Sequence, residues 1–392
     1  MFILKMIIRP FLYKYDNYKK FKNFKIEKNR IKKILTDEDF SVIQNTKPKE
    51  LKNIAFIIPG MSKFSGGHTS ILRLGSQLAK NNYNVTYISF IEQSIDSMKN
   101  SAYSNLNTYE GNFLLYEEAK NNRYDVIVAT NWESVYYAKR MEGYKVYFVQ
   151  DYEPYFYRYG ETYLLAKKTY NFGFHIISLG GWNVKKIKQE CEGNIKADVI
   201  TFPFEMKEYH FKSRKKEDYL NKHHIRMAIY IKDDGKRFPF LIQAMIENMS
   251  HEFLKDDIIV EPIYFGIYNE YIPDYGINKG KLNKKELEQL YHKCDFGIVA
   301  SLTNISLIPY EMIGSGLPII EFEEGTFLDF FERDDAIITT MNYKDLYLKL
   351  KKMLENPNDI IKMTEKAYNK IINLSWENTA KEFEDILRGI IE

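Results

Sequence analysis

Four short stretches of the chain hold residue types able to bind or turn over a charged substrate. Gly66 and Gly67 stand between an apolar run at 53–59 and an amphipathic stretch with Ile71, Leu72, Leu74 and Leu78 on one face. At a strand-to-helix junction glycines let a ligand approach the backbone, and free N–H groups at the helix start favour an anion. A tight turn that needs glycine accounts for the pair equally well. Neither G-x-G-x-x-G nor the Gly-Lys-Ser/Thr of a P-loop is present here, so dinucleotide binding and ATP hydrolysis are not supported. Lys232, Lys236 and Arg237 cluster directly after an apolar run. Three cations at such a loop can neutralise a diphosphate, with charge-assisted hydrogen bonds of about 1.5–3 kcal/mol each. Asp233-Asp234-Gly235 also fits a solvated turn, but the C-terminal end of a strand is where α/β folds bind ligands. In segment 301–318 a polar loop with Asn304 and Ser306 leads into a short helix bearing Glu311, then Gly314-Ser315-Gly316-Leu317-Pro318. A carboxylate there can accept two ribose hydroxyls while loop N–H groups face phosphates, although Glu311 equally suits a helix surface. Asp151 and Glu153 follow a strand-like run and are candidates for acceptor recognition.

These residues need a scaffold that brings them together, and the hydropathy pattern predicts one. Short apolar runs at 53–59, 85–90, 125–129, 145–149 and 174–178 alternate with helix-like stretches. Continuous apolar strands separated by helices imply a parallel sheet covered on both faces. The rhythm breaks at 205–224, which is charged and poor in apolar residues, and reads as an interdomain connection. It restarts with strands at 225–231, 258–265, 295–300 and 317–321, and helices at 238–249, 283–293, 307–315, 343–355 and 358–373. A last helix opens at Ser375-Trp376-Glu377. Two similar α/β halves facing a cleft is the expected architecture.

Composition narrows the function classes. The 392 residues are 45% hydrophobic and 28% charged, as for a packed globular protein of two or three domains. No apolar run reaches the ~18 residues that cross a bilayer, and the start 1–10 breaks too early for a secretory signal. Cys191 and Cys294 cannot build a disulfide framework or a four-thiolate zinc site. The expectation is a cytoplasmic enzyme. Residues 1–35 carry eleven Lys or Arg against Asp16 and Glu27, which leaves 45 basic and 51 acidic residues for the remainder. Such an arm, with Phe2, Ile3, Leu4 and Phe11 near its start, suits the anionic inner face of a membrane, each cation contributing about 1 kcal/mol. A solvated helix is the rival reading, and no nucleic-acid motif accompanies the arm. The sole Asp-x-Asp, at 37–39, precedes the first strand, and Asp233-Asp234 are adjacent rather than spaced, so no metal and no cofactor are expected. His223-His224 has no partners at ligand spacing.

Segment 301–318 resembles the donor site of GT-B glycosyltransferases, family four of the retaining enzymes. Ser65-Gly66-Gly67-His68, 147–154 (YFVQDYEP) and 304–312 (NISLIPYEM) resemble the branch of rhamnosyltransferases that serve bacterial surface polysaccharides. The resemblance covers about residues 53–390. After the basic arm, set at 1–48 by its charge, it implies an acceptor-side Rossmann-like domain at 49–205, a donor-side one at 206–375 and a helix at 376–392 crossing back. It further implies that Glu311 binds the nucleotide ribose, Lys236 and Arg237 the diphosphate, and Gly66 and Gly67 the phosphates or donor sugar. The family commonly has a glutamate where Thr303 stands, and Asn304 or Ser306 would substitute. No side chain is assigned as a base, since Thr130-Asn131-Trp132-Glu133 stands where the family often has a histidine. The implied reaction is metal-independent, retaining transfer from a nucleotide-diphosphate sugar, first dTDP-L-rhamnose, to a growing glycan. A UDP-hexose donor and a non-catalytic scaffold subunit are the rival readings.

Overall fold

The computed structural model describes residue 18 and residues 20–391. The apolar start of the arm, 2–13, lies outside the described residues. Seven strands, β1 (Asn53–Ile58), β2 (Asn84–Ser89), β3 (Asn112–Leu115), β4 (Arg123–Ala129), β5 (Glu142–Val149), β6 (His175–Leu179) and β7 (Ala197–Ile200), form one parallel sheet in the order β3-β2-β1-β4-β5-β6-β7. A second parallel sheet has the order β10-β9-β8-β11-β12-β13. Its strands are β8 (His224–Tyr230), β9 (Ile259–Phe265), β10 (Ile277–Asn278), β11 (Phe296–Ile298), β12 (Ile319–Phe322) and β13 (Ile337–Thr339). Strands β1 and β4 are apolar and buried on both faces because helices cover both sides.

In each sheet the winding direction reverses once, between β1 and β4 and again between β8 and β11. Loops at the carboxyl ends of strands flanking such a reversal diverge and leave a crevice. The loops after β1, β4, β8 and β11 are those that hold Gly66-Gly67, Asn131, Lys236-Arg237 and Asn304-Ser306. The topology therefore puts these four loops at the two crevices.

Strands β3, β7, β10 and β13 carry too weak a hydrophobic signal to read from sequence. Each spans two to four residues, and all four sit toward a sheet edge, where alternation is short or half-exposed. The connection at 205–224 is seated on the second domain. Arg214 is buried there and donates to the carbonyls of Gly316 (2.7 Å), Cys294 (2.9 Å) and Tyr291 (3.0 Å).

Helix α1 (20–34) joins the first domain at its C-terminal end. Ile34 is fully buried, Arg30 pairs with Glu133 at 2.7 Å and lies over the Trp132 ring, and Arg140 caps the Lys33 and Ile34 carbonyls. The following strap continues along the domain through Ile43 N to Phe172 O (3.0 Å) and a reciprocal Asn45–Lys145 pair. At the other terminus the helix α13 (Trp376–Ile391) lies against the helix Gly66–Lys80 of the first domain. Its Trp376, Ala380, Phe383, Leu387 and Ile390 complete that domain's core, and Glu384 accepts from Asn81 (2.6 Å) and Tyr83 (3.0 Å). Phe383 is fully buried and edge-on to Phe148 at 6.2 Å. Phe383→Ala is expected to lower unfolding stability by about 3–5 kcal/mol. A urea titration followed by tryptophan fluorescence measures this, and a change under 1 kcal/mol would contradict the packing.

Candidate active site

The carboxyl ends of the two sheets enclose a cleft of about 310 Å³ whose walls include Gly67, Asp151, Glu153, Arg237, Asn304 and Ser306. On the first-domain side, Ser65 caps the helix α2 (Gly66–Lys80), accepting from His68 N, and Asn105 holds the Ser65 N–H at 2.9 Å. Neither glycine has a left-handed φ; Gly60 (φ 73°) and Phe64 (φ 53°) take those values in this loop. A Cβ at Gly66 would meet nothing within 4 Å, and one at Gly67 would only touch the Gln150 amide at 3.7 Å. The turn therefore does not require these glycines, and their effect is a bare backbone at a helix N-terminus. His68, on the same first turn, accepts from Ser62 N at Nδ1 (3.2 Å) and burial lowers its pKa, so the ring is neutral with its proton on Nε2.

Opposite stands the loop after β8. Asp234 accepts from Lys236 N at 3.2 Å and caps a short turn. Phe238 then takes a left-handed conformation (φ 47°) before Pro239 begins the helix α8 (Pro239–Lys255). That reversal turns Arg237 inward, where it is buried and donates to Ala300 O at 2.7 Å. Lys236 lies 3.2 Å from the Asp151 carboxylate and 3.7 Å above the Phe156 ring. Lys232 is exposed beside them and does not line the cleft; desolvation, with the charges of Lys236 and Arg237, lowers its pKa.

The loop 301–306 is fastened from both sides. Asp151 accepts from Thr303 Oγ1 (2.8 Å) and Asn304 N (3.0 Å), and the Asn304 amide donates to Gln150 O (2.8 Å) and Leu179 O (2.9 Å). Behind it, Glu321 accepts from Ser301 Oγ (2.7 Å) and N (3.2 Å), and Thr326 donates to the Ser301 and Thr303 carbonyls. Two buried oxygens in this loop, Asn304 Oδ1 and Ser306 Oγ, lack a protein partner. A buried acceptor of this kind calls for a ligand or water donor. Ser306 opens the helix α10 (Leu307–Gly314) yet makes no side-chain cap.

Glu311, on α10, is half-buried and lies outside the cleft wall. It accepts from Tyr291 OH (3.3 Å), with Tyr209, Lys284 and Glu208 nearby; burial raises its pKa. The structure thus brings Gly67, Asp151, Glu153, Arg237, Asn304 and Ser306 to one cavity, leaves Gly66, Lys232 and Lys236 off its wall, and holds Glu311 on Tyr291 outside it. Glu153 is buried, with Trp132 N donating to it at 2.7 Å at the start of the helix α5 (Trp132–Lys139). Sequence reasoning missed His68, Gln150 and Glu321 as parts of the site. A lone glutamate inside the apolar run LPIIEF was the available signal for Glu321. Among the described residues, the acidic group with spacing for a cation, Glu332-Asp334-Asp335, is outside this cleft and paired with Lys366 and Lys370.

This arrangement of two parallel sheets, joined across a cleft by facing carboxyl ends, is shared with solved glycosyltransferases. HepE of Anabaena, in complex with UDP and glucose, superposes with a TM-score of 0.65 at 12% identity, over 86% of this chain and 100% of HepE. The fold is GT-B. Sucrose-phosphate synthase from Thermosynechococcus elongatus gives 0.63 at 12% identity, over 86% of this chain and 99% of that one. TarM of S. aureus, bound to fondaparinux, alpha-GlcNAc-glycerol and UDP, gives 0.65 at 10% identity, over 86% and 100%. In sequence, the O-antigen biosynthesis protein RfbC of Myxococcus xanthus is 24% identical over 289 residues, 68% of this chain. The chain spans only 21% of the length of that curated relative. No family model matches.

Burial pushes the Glu321 carboxyl up to about 8, against the hydrogen bonds from Ser301 and the charge of Arg237. A raised carboxyl pKa means the folded state keeps a proton that the unfolded chain releases above about 4.5, so this contribution to stability is lost as pH rises from there to about 8. Glu321→Gln is therefore expected to gain on the native protein by up to about 1.4 kcal/mol per pH unit within that window. Urea midpoints of both proteins between pH 6 and 8 check this; a pH-independent difference would contradict it.

Proposed function

We propose that the chain transfers a sugar from a nucleotide-diphosphate donor, first dTDP-L-rhamnose, to a growing cell-surface glycan. One observation carries the reading: the bare N-terminus of α2 and Arg237 line one cleft together with Asn304 and Ser306, whose buried side-chain oxygens lack a protein partner, and Lys236 stands beside it on Asp151. Cations and helix-start N–H groups suit the diphosphate, and unpartnered oxygens suit sugar hydroxyls. Glu311, beside Tyr291 and Tyr209, is assigned to the ribose, with Lys232 as an outer cation. Asp151 and Glu153 face the acceptor, Asp151 while tethered to the donor domain. In a retaining transfer the bond from the acceptor oxygen to C1 forms as the bond from C1 to phosphate breaks. The departing diphosphate keeps that electron pair and takes the acceptor proton, and Lys236, Arg237 and the α2 N-terminus stabilise its charge. These groups supply the charge that a metal would otherwise provide, and no cofactor is invoked. The name of RfbC supports an O-antigen type of product, and a UDP-hexose is the second donor reading because HepE is solved with UDP-glucose.

The arm is assigned to an anionic membrane surface on the cytoplasmic side. Tyr18, Phe21 and Phe24 are 65%, 66% and 70% exposed, on the same stretch as exposed Lys20, Lys22, Lys25 and Lys28. Rings and cations on one amphipathic helix match a lipid interface. No described helix is long and apolar enough to cross a membrane.

Calorimetry of the purified protein with dTDP-rhamnose, UDP-glucose, UDP-galactose, UDP-N-acetylglucosamine and GDP-mannose, with and without chelator, tests the donor. One donor bound equally in chelator is the expected result, with Kd weakened about 10- to 150-fold in Lys236→Ala. Folded protein that binds none of them, or binds only with a divalent ion, contradicts the reading. For the arm, Phe21→Glu/Phe24→Glu is expected to release the protein from phosphatidylglycerol vesicles at low salt. Equal sedimentation of both forms would show a solvated helix instead.

A further inference from the structure

Glu153 is the one carboxyl group of the cleft wall without a cation in hydrogen-bond contact. Of the nearby positive charges, Lys236 is engaged by Asp151 at 3.2 Å and Arg237 by Ala300 O at 2.7 Å. Its single protein donor is the Trp132 backbone N–H at 2.7 Å, and the side chain is 8% exposed. An ionised carboxylate so buried calls for a paired charge or several donors, and one N–H does not supply them. The charged neighbours point the same way. Asp151 on the same loop and Glu133 on α5 both disfavour a second negative charge, and Lys236 is the cation opposing them. Tyr147 on β5, together with Tyr157 and Tyr170, also faces this carboxyl, and burial keeps all three phenols neutral.

We propose that Glu153 works in this cleft as a neutral carboxylic acid, donating its O–H to a hydroxyl oxygen of the acceptor sugar. This rests on the transferase reading and deepens it. Burial pushes the Glu153 carboxyl up to about 8, so at neutral pH the group is mostly an O–H donor with one remaining acceptor oxygen. The acceptor side is favoured over the donor side by placement: Glu153 stands on the first-domain wall, while the cations suited to the diphosphate come from the second. Its short turn (Glu153–Phe156) also brings the half-exposed Phe156 ring to the cleft, with Lys236 over one face and the rest of the ring an apolar edge for a sugar. A neutral acid orients the acceptor without competing with the leaving diphosphate for the proton.

Gln keeps a neutral donor at this position and Ala removes it. In cells lacking the native copy, Glu153→Ala is expected to lower surface glycan at least tenfold, and Glu153→Gln to restore most of that loss. Calorimetry with dTDP-rhamnose is expected to give a Kd within about twofold for all three forms, which also confirms folding. Infrared difference spectra of the full chain, wild type minus Glu153→Gln, are expected to show a protonated-carboxyl band at pH 7 that fades through about pH 8. Loss of glycan in Glu153→Gln with donor binding intact overturns the proposal, as does an ionised-carboxylate band at pH 7. A wild-type protein that binds no donor removes the transferase reading instead, and the infrared band still decides the protonation state.

Discussion

The site depends on a carboxylate that crosses from one domain to the other. Asp151 leaves the end of a first-domain strand and accepts from Thr303, Asn304 and Lys236 of the second domain. Three donors satisfy a largely buried charge, so the two halves meet at one geometry rather than sliding past each other. The Asn304 amide strengthens the join by donating to two carbonyls of the first domain. With the loop so fastened, Asn304 Oδ1 and Ser306 Oγ stay buried without protein partners.

Around this clasp, charge is distributed unevenly by design of the packing. Arg237 and Lys236 each find an oxygen, whereas Glu153 and Glu321 are buried with none of the cations in direct contact. The result is a cleft whose second-domain wall is cationic and whose first-domain wall holds neutral donors, His68 and Glu153. Such a division suits one substrate with a charged leaving group and another that brings only hydroxyls.

Most of the α/β alternation was legible because buried parallel strands are continuous apolar runs. Strands β1, β4, β5, β8 and β9 stand out for that reason, and the edge strands β3, β7, β10 and β13 do not, being only two to four residues long. Gly66-Gly67 was legible as a candidate but ambiguous. Only the φ values and the open space at each Cβ separated a ligand-facing backbone from a turn. Arg237, Asn304 and Ser306 were legible by type and position after a strand, and Lys232 and Lys236, equally basic, proved to stand outside the wall, Lys236 beside it on Asp151.

By itself the sequence determined the central elements, their parallel class, the two-halved organisation and the loops where chemistry collects, since these follow from local periodicity and residue type. Contacts between residues about 150 positions apart were decided only by the tertiary structure. No local pattern tells that Asp151 meets Thr303, that Glu311 turns to Tyr291 and away from the cleft, or that Glu153 is left without a counter-charge. Burial and pairing are properties of the assembled fold, because a carboxyl group's solvent and its partners are set by whatever the rest of the chain places against it.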